Sequence, residues 1–281
     1  MNAALSEAIQ EVHAVAESLG IKAVLVGALV MEFTTEFRPG YPPYKNTNDA
    51  DFALYVHDWA SFDRMRSSLL AKGYTQHPKI EHRLKKETVI IDLIPYGEVS
   101  PDGKLTWPTS GHEMNVVGFP EVCAAIASEV QPGLPQIPVI EVPGFVILKM
   151  FAFQDRLGRK DPKYRNDAEH IRYWLDNYAT ISADDSRRFD VAAKQGWKDI
   201  DVNDVGAAIL GLEASKVASP AAIAAAEQFL TDSLDRYSPF IEALLNARHG
   251  IETSEELSAE AAEIQGRLTA FRRGFSARRP A

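Results

Sequence analysis

The chain has 281 residues, 46% of them hydrophobic, a formal charge of −9 and a single cysteine, Cys123. That hydrophobic share supports a sizeable core in one large domain or two and excludes a disordered chain. A lone cysteine excludes an internal disulfide framework and a multi-cysteine zinc site, and the acidic balance argues against a protein coated in nucleic acid.

In chain order, Leu5, Ile9, Val12, Ala16 and Leu19 recur at helical spacing, and Gly20 follows as a stop. "KAVLVG" reads as a short apolar strand, "ALVMEFTTEF" as helical, and the Pro- and Gly-rich "RPGYPPYKN" as a loop. The strand "DADFALYV" comes next, then a helix capped by Asp58, carrying Phe62, Met65 and Leu69 and closed by Gly73. "TVIIDLIPYG" is a second β-prone run, and strands and helices are expected to alternate up to about residue 142.

From Pro143, placed as a first-turn helix residue, the composition turns helical: "FVILKMFAFQDRL", "YRNDAEHIRYWLDNY", "VNDVGAAILGLEA" and "PAAIAAAEQFLTDSL". The expected architecture is therefore α/β (α+β), with an α/β domain over residues 1–142 and a helical domain over 143–281. No apolar run approaches membrane-spanning length and no basic-then-apolar leader opens the chain, so a cytoplasmic protein with no membrane partner is expected.

Asp49 and Asp51 stand two apart at the mouth of a strand, so they project from one face while Ala50 and Phe52 project from the other. Two carboxylates held side by side need basic partners or an oxygen-seeking divalent cation, most simply Mg²⁺. Asp92 lies between Ile91 and Leu93 in an apolar strand, where burial is costly unless something pairs with it; a shared metal would do so. Upstream, Gly27 sits between a strand and a helix start, where a missing side chain and exposed N–H groups suit a phosphate.

Strand–Gly–helix, then Asp-X-Asp on a strand, then one Asp on a later strand, resembles the nucleotidyltransferases of the DNA polymerase β superfamily, most of all the AbiEii-type abortive-infection toxins. Gly27 and Ala28 match the family's Gly-Gly or Gly-Ser motif, with Ala28 replacing its second residue, and Lys45 and Thr47 match the basic residue and Thr before the acidic pair. "LKMFAFQDRLGRKDPKYRND" is similar to a later family stretch through Lys149, Ala152, Arg156, Lys160, Asp161 and Asp167. The segment from Gly27 to Asp49 is longer than is usual in the family.

The resemblance implies a nucleotidyltransferase-like mixed sheet flanked by helices, followed by a helical domain. It implies transfer of NMP from an NTP to an acceptor by two Mg²⁺ ions, with Asp49, Asp51 and Asp92 as catalytic metal ligands. Gly27, Ala28 and Lys149 would bind nucleotide, Lys149 by neutralising phosphate charge. The implied acceptor is a tRNA 3′ end, in a toxin–antitoxin or phage-defence setting with a cognate antitoxin. The alternatives are a small-molecule, aminoglycoside-type nucleotidyltransferase and a nucleotide-binding relic without activity. Arg165 and His170 show the Arg-x4-His spacing that resembles helical defence ribonucleases, a spacing common by chance.

Overall fold

The computed structural model describes residues 1–34, 47–179, 187–247 and 253–277, and the chain forms two compact units, Met1–Phe145 and Val146–Ala281. It is α/β in class, one unit built on a mixed sheet and the other helical.

In the first unit, α1 (Ala3–Ser18) buries Leu5, Ile9, Val12 and Ala16 on one stripe, is capped by the Asn2 side chain and stops before Gly20, whose φ is +66°. β1 (Lys22–Val26) follows, then α2 (Val30–Phe33), β2 (Asp49–Val56) and α3 (Trp59–Ala71). Asp58 caps α3 by accepting from the Ser61 N–H at 2.7 Å. β3 (Thr75–Gln76), β4 (Arg83–Lys86) and β5 (Val89–Gly97) complete a five-stranded sheet in the order β1-β2-β5-β4-β3. Within this sheet of described strands, β2 and β5 pair in parallel, and β1–β2, β5–β4 and β4–β3 pair antiparallel. Ala50, Phe52, Leu93 and Ile91 are almost fully buried, which anchors the register of the central strands by their apolar face.

Two expectations change. The helix after Gly27 is one described turn, α2, because Thr34 already has an extended backbone; the rest of "ALVMEFTTEF" lies outside the described residues. The strand–helix alternation ends at α3, since β3, β4 and β5 follow one another without a helix. Beyond β5 come a separate hairpin of β6 (Lys104–Thr106) and β7 (Glu113–Asn115), the one-turn α4 (Phe119–Val122), and a bridge from Val139 to Leu25 of β1. Cys123 is fully buried, and burial pushes its thiol up to about 12.

Helix α5 (Val142–Gly158) begins within the first unit and continues into the second. There follow α6 (Tyr164–Asn177), α7 (Arg187–Gln195), α8 (Val205–Ala214), α9 (Pro220–Ser233), α10 (Pro239–Ala247) and α11 (Ser254–Ser276). α8 is apolar all round and buries every residue except Glu213, as expected of a central helix. α11 packs along it at glycines: a β-carbon at Gly274 would stand 2.7 Å from the carbonyl carbon of Ala208, and one at Gly211 would stand 2.9 Å from that of Phe271. Arg172 ties α6 to α11: its Nε donates to Asp176 within α6 at 2.6 Å, and its far nitrogen donates to Glu263 of α11 at 3.1 Å.

Candidate functional site

β1 ends at Gly27, whose φ of +72° is the left-handed conformation that glycine adopts without penalty. A side chain there is also blocked sterically, since a β-carbon would lie 2.6 Å from the Asp51 carboxyl carbon. The sequence thus places a glycine where the next strand brings a carboxylate against the backbone of the turn. Ala28 follows, and its carbonyl accepts from the Met31 N–H at 3.2 Å. The single-turn α2 adds little aligned peptide dipole to the exposed N–H groups expected to suit a phosphate there.

Asp49 and Asp51 occupy alternate positions at the start of β2 and are both partly exposed, between the buried Ala50 and Phe52. The Asp49 N–H donates to Thr47 Oγ1 at 3.1 Å, which fixes the entry to the strand. Across the parallel pair, Asp51 is the register partner of Asp92 and Asp49 that of Ile90. Register partners share a face, so Asp49, Asp51 and Asp92 project from the same side of the sheet. Lys45 lies outside the described residues.

Asp92 is only 6% exposed, and its partner is Arg83. Arg83 Nε donates to Asp92 Oδ1 at 2.8 Å and the outer nitrogen to Oδ2 at 2.7 Å, a fork that engages both carboxylate oxygens. The burial cost that suggested a shared metal is therefore met by a guanidinium. The Asp92 hydrogen bonds, then the charges of Asp92, Asp49 and Asp51, hold the Arg83 guanidinium above its ordinary range despite partial burial. One arginine thus lies within the field of all three carboxylates. Among the described residues, no group of three or more His, Cys, Asp or Glu is disposed to hold a metal ion.

Arg83 is not among the candidate site residues read from the sequence. Its signal was the hairpin: β4 and β5 are joined through Glu87 and Thr88, and Lys86 pairs with Val89, so counting back puts Arg83 opposite Asp92. Glu87 takes a positive φ of 54° without the Asn or Gly that usually announces such a turn, which hides the hairpin from the sequence.

Lys149 belongs to the second unit. It is 8% exposed on α5, and its ammonium donates to Asp167 Oδ1 at 3.0 Å, while Arg156 donates to Oδ2 at 2.5 Å. Asp167 is completely buried, so the lysine expected at a phosphate is also one side of a buried ion pair joining α5 to α6. Asp161 acts in the turn between these helices, accepting from the Lys163 N–H at 3.0 Å.

No helix among the described residues is long and apolar enough to cross a membrane. No protein-family model and no curated protein matches the chain. Among solved structures, the chain is similar to the solution structure of the antibiotic-resistance factor ANT(2'')-Ia, at a TM-score of 0.40 and 11% identity, covering 70% of this chain and 95% of that one.

Proposed function

We propose that the protein is a divalent-cation-dependent nucleotidyltransferase that moves NMP from an NTP to an acceptor hydroxyl. The observation that carries this reading is the register of the parallel β2–β5 pair, which sets Asp51 beside Asp92 and puts Asp49 on the same face. Hard oxygen donors of this kind suit Mg²⁺, and the candidate ligands are Asp49 and Asp51, with Asp92 joining once its arginine is displaced. Bound ions would supply charge neutralisation on the triphosphate and help ionise the acceptor hydroxyl.

The chain's own groups do the rest. Gly27 lets the Asp51 carboxylate and a ligand approach the backbone, and Ala28 leaves the turn without a hydroxyl, so that peptide N–H groups are its phosphate donors. The family resemblance also gives Lys149 a phosphate-binding role, which would require its ammonium to leave Asp167.

The acceptor suggested by the family resemblance is a tRNA 3′ end, with a toxin role and an antitoxin partner. The formal charge of −9 favours a second acceptor, a small cationic molecule of the aminoglycoside type. The test is incubation with Mg²⁺ and each α-labelled NTP in turn, offered total tRNA, an aminoglycoside panel or cell extract. Labelled acceptor from wild type and none from Asp51→Asn supports the reading and names the acceptor. NTP binding without labelling of any acceptor would identify a nucleotide-binding relic instead.

A further inference from the structure

Arg83 holds the carboxylate that the nucleotidyltransfer reading needs as its third metal ligand. Its partner is fixed twice, once by the backbone, which makes Arg83 and Asp92 register partners across β4 and β5, and once by the fork to both carboxylate oxygens. A carboxylate gripped in this way has its best-directed lone pairs committed to the guanidinium. Three aspartates around one arginine still leave the cluster net acidic, so it continues to attract cations.

We propose that Arg83 is the resident counter-cation of this cluster, holding Asp92 until a divalent ion displaces it, so that metal entry at the third carboxylate is an exchange of one cation for another. This rests on the reading of Asp49, Asp51 and Asp92 as metal ligands. Arg83 is then a positioning residue acting through Asp92: it keeps three like charges together when no ion is bound and sets a threshold for ion entry.

Exchange has a consequence that a purely structural ion pair lacks. Removing Arg83 should weaken the metal-free protein but strengthen its hold on metal, because the competing cation is gone. The probe is Mn²⁺ alone, titrated into the full chain and followed by the loss of the free-ion electron paramagnetic resonance signal, with melting curves in chelator and in Mn²⁺.

Arg83→Gln is expected to bind Mn²⁺ roughly tenfold more tightly than wild type, since a neighbouring positive charge is removed. Its melting point should be lower in chelator and largely restored by Mn²⁺. Arg83→Lys, which keeps the charge but loses the fork, should fall between the two and carries the test if Arg83→Gln folds poorly. Mn²⁺ affinity in the variants equal to or weaker than wild type would overturn the exchange while leaving the metal site standing. Unchanged Mn²⁺ affinity with loss of a non-hydrolysable ATP analogue would make Arg83 a phosphate ligand and likewise overturn it. No Mn²⁺ binding by any variant, with or without the analogue, would remove the metal-site reading itself.

Discussion

The carboxylate of Asp51 lies against the backbone of Gly27, so closely that a β-carbon on Gly27 would sit 2.6 Å from the Asp51 carboxyl carbon. Two independent demands thus meet at one position, a left-handed φ of +72° and a close approach from the neighbouring strand. Gly27→Ala meets neither. The expected loss is about 2–3 kcal/mol, of which the left-handed conformation accounts for about 1–2 and displacement of the carboxylate for the rest. Denaturant titration measures the loss, and transfer activity should fall with it. A variant as stable as wild type would show that Asp51 moves aside without cost and is not held at this turn.

Asp51→Asn isolates the charge from the shape. Asp51 is partly exposed at the strand entry, so the fold should survive with a melting curve close to wild type. Nucleotidyl transfer should fall roughly a thousandfold, equivalent to about 4 kcal/mol of lost transition-state stabilisation. Transfer retained in a well-folded Asp51→Asn protein would refute its role as a metal ligand.

What the sequence disclosed follows from which forces are local. Helix α1 and the cap of α3 were legible because spacing at Leu5, Ile9 and Val12 and the Asp58 side chain act within a few residues. The shared face of Asp49 and Asp51 needed only strand alternation. Arg83 was hidden because its meaning depends on pairing across a hairpin whose turn lacks glycine, and the burial of Asp92 was therefore credited to a metal. The switch to helices near residue 142 was visible in composition, and the compact units divide at Phe145. The hairpin of β6 and β7 was not seen, because strands of three residues carry too short a pattern to register.

The ion pair of Lys149 with Asp167 separates two roles for the lysine. Breaking a buried pair leaves an uncompensated charge, and Lys149→Met should cost about 3 kcal/mol. Asp167→Asn should cost at least as much, because Asp167 is wholly buried and serves both Lys149 and Arg156. The double variant should recover part of the sum, as an apolar replacement of the pair does elsewhere. Melting curves read these costs. NTP affinity, measured on the folded Lys149→Met protein, should also drop if the lysine serves phosphate, and should match wild type if the ion pair is its whole role.

At the contact of α8 with α11, glycine acts through space rather than conformation. A methyl group on Gly274 would press into the carbonyl of Ala208, with 2.7 Å to its carbon, and backbone cannot swing aside as a side chain can. Gly274→Ala should therefore destabilise the helical unit by about 1–3 kcal/mol even though alanine is the better helix former. Gly158→Ala is the control, since nothing lies within 4 Å of a β-carbon there. Equal stability of the two variants would mean that the helices part without cost.

His170 gives the helical unit a pH dependence of predictable sign. Burial first, then the charges of Lys149 and Arg156, hold its imidazole well below the ordinary 6.5. Both cations pair with Asp167, which keeps them beside the histidine. The unfolded chain takes a proton at His170 near pH 6.5 while the folded chain does not, so the unfolded state binds more protons as the solution is acidified. The stability associated with a neutral His170 is present above that pH and declines below it. Between pH 7.5 and 5.5 the decline should reach up to about 1.4 kcal/mol, an upper bound because the ring keeps some surface exposure. Carboxylates titrate mostly below this window and contribute little to it. Urea melts of wild type and His170→Gln at the two pH values measure the effect. Wild type should lose more stability than the variant on acidification, and parallel losses would show that His170 is protonated equally in both states.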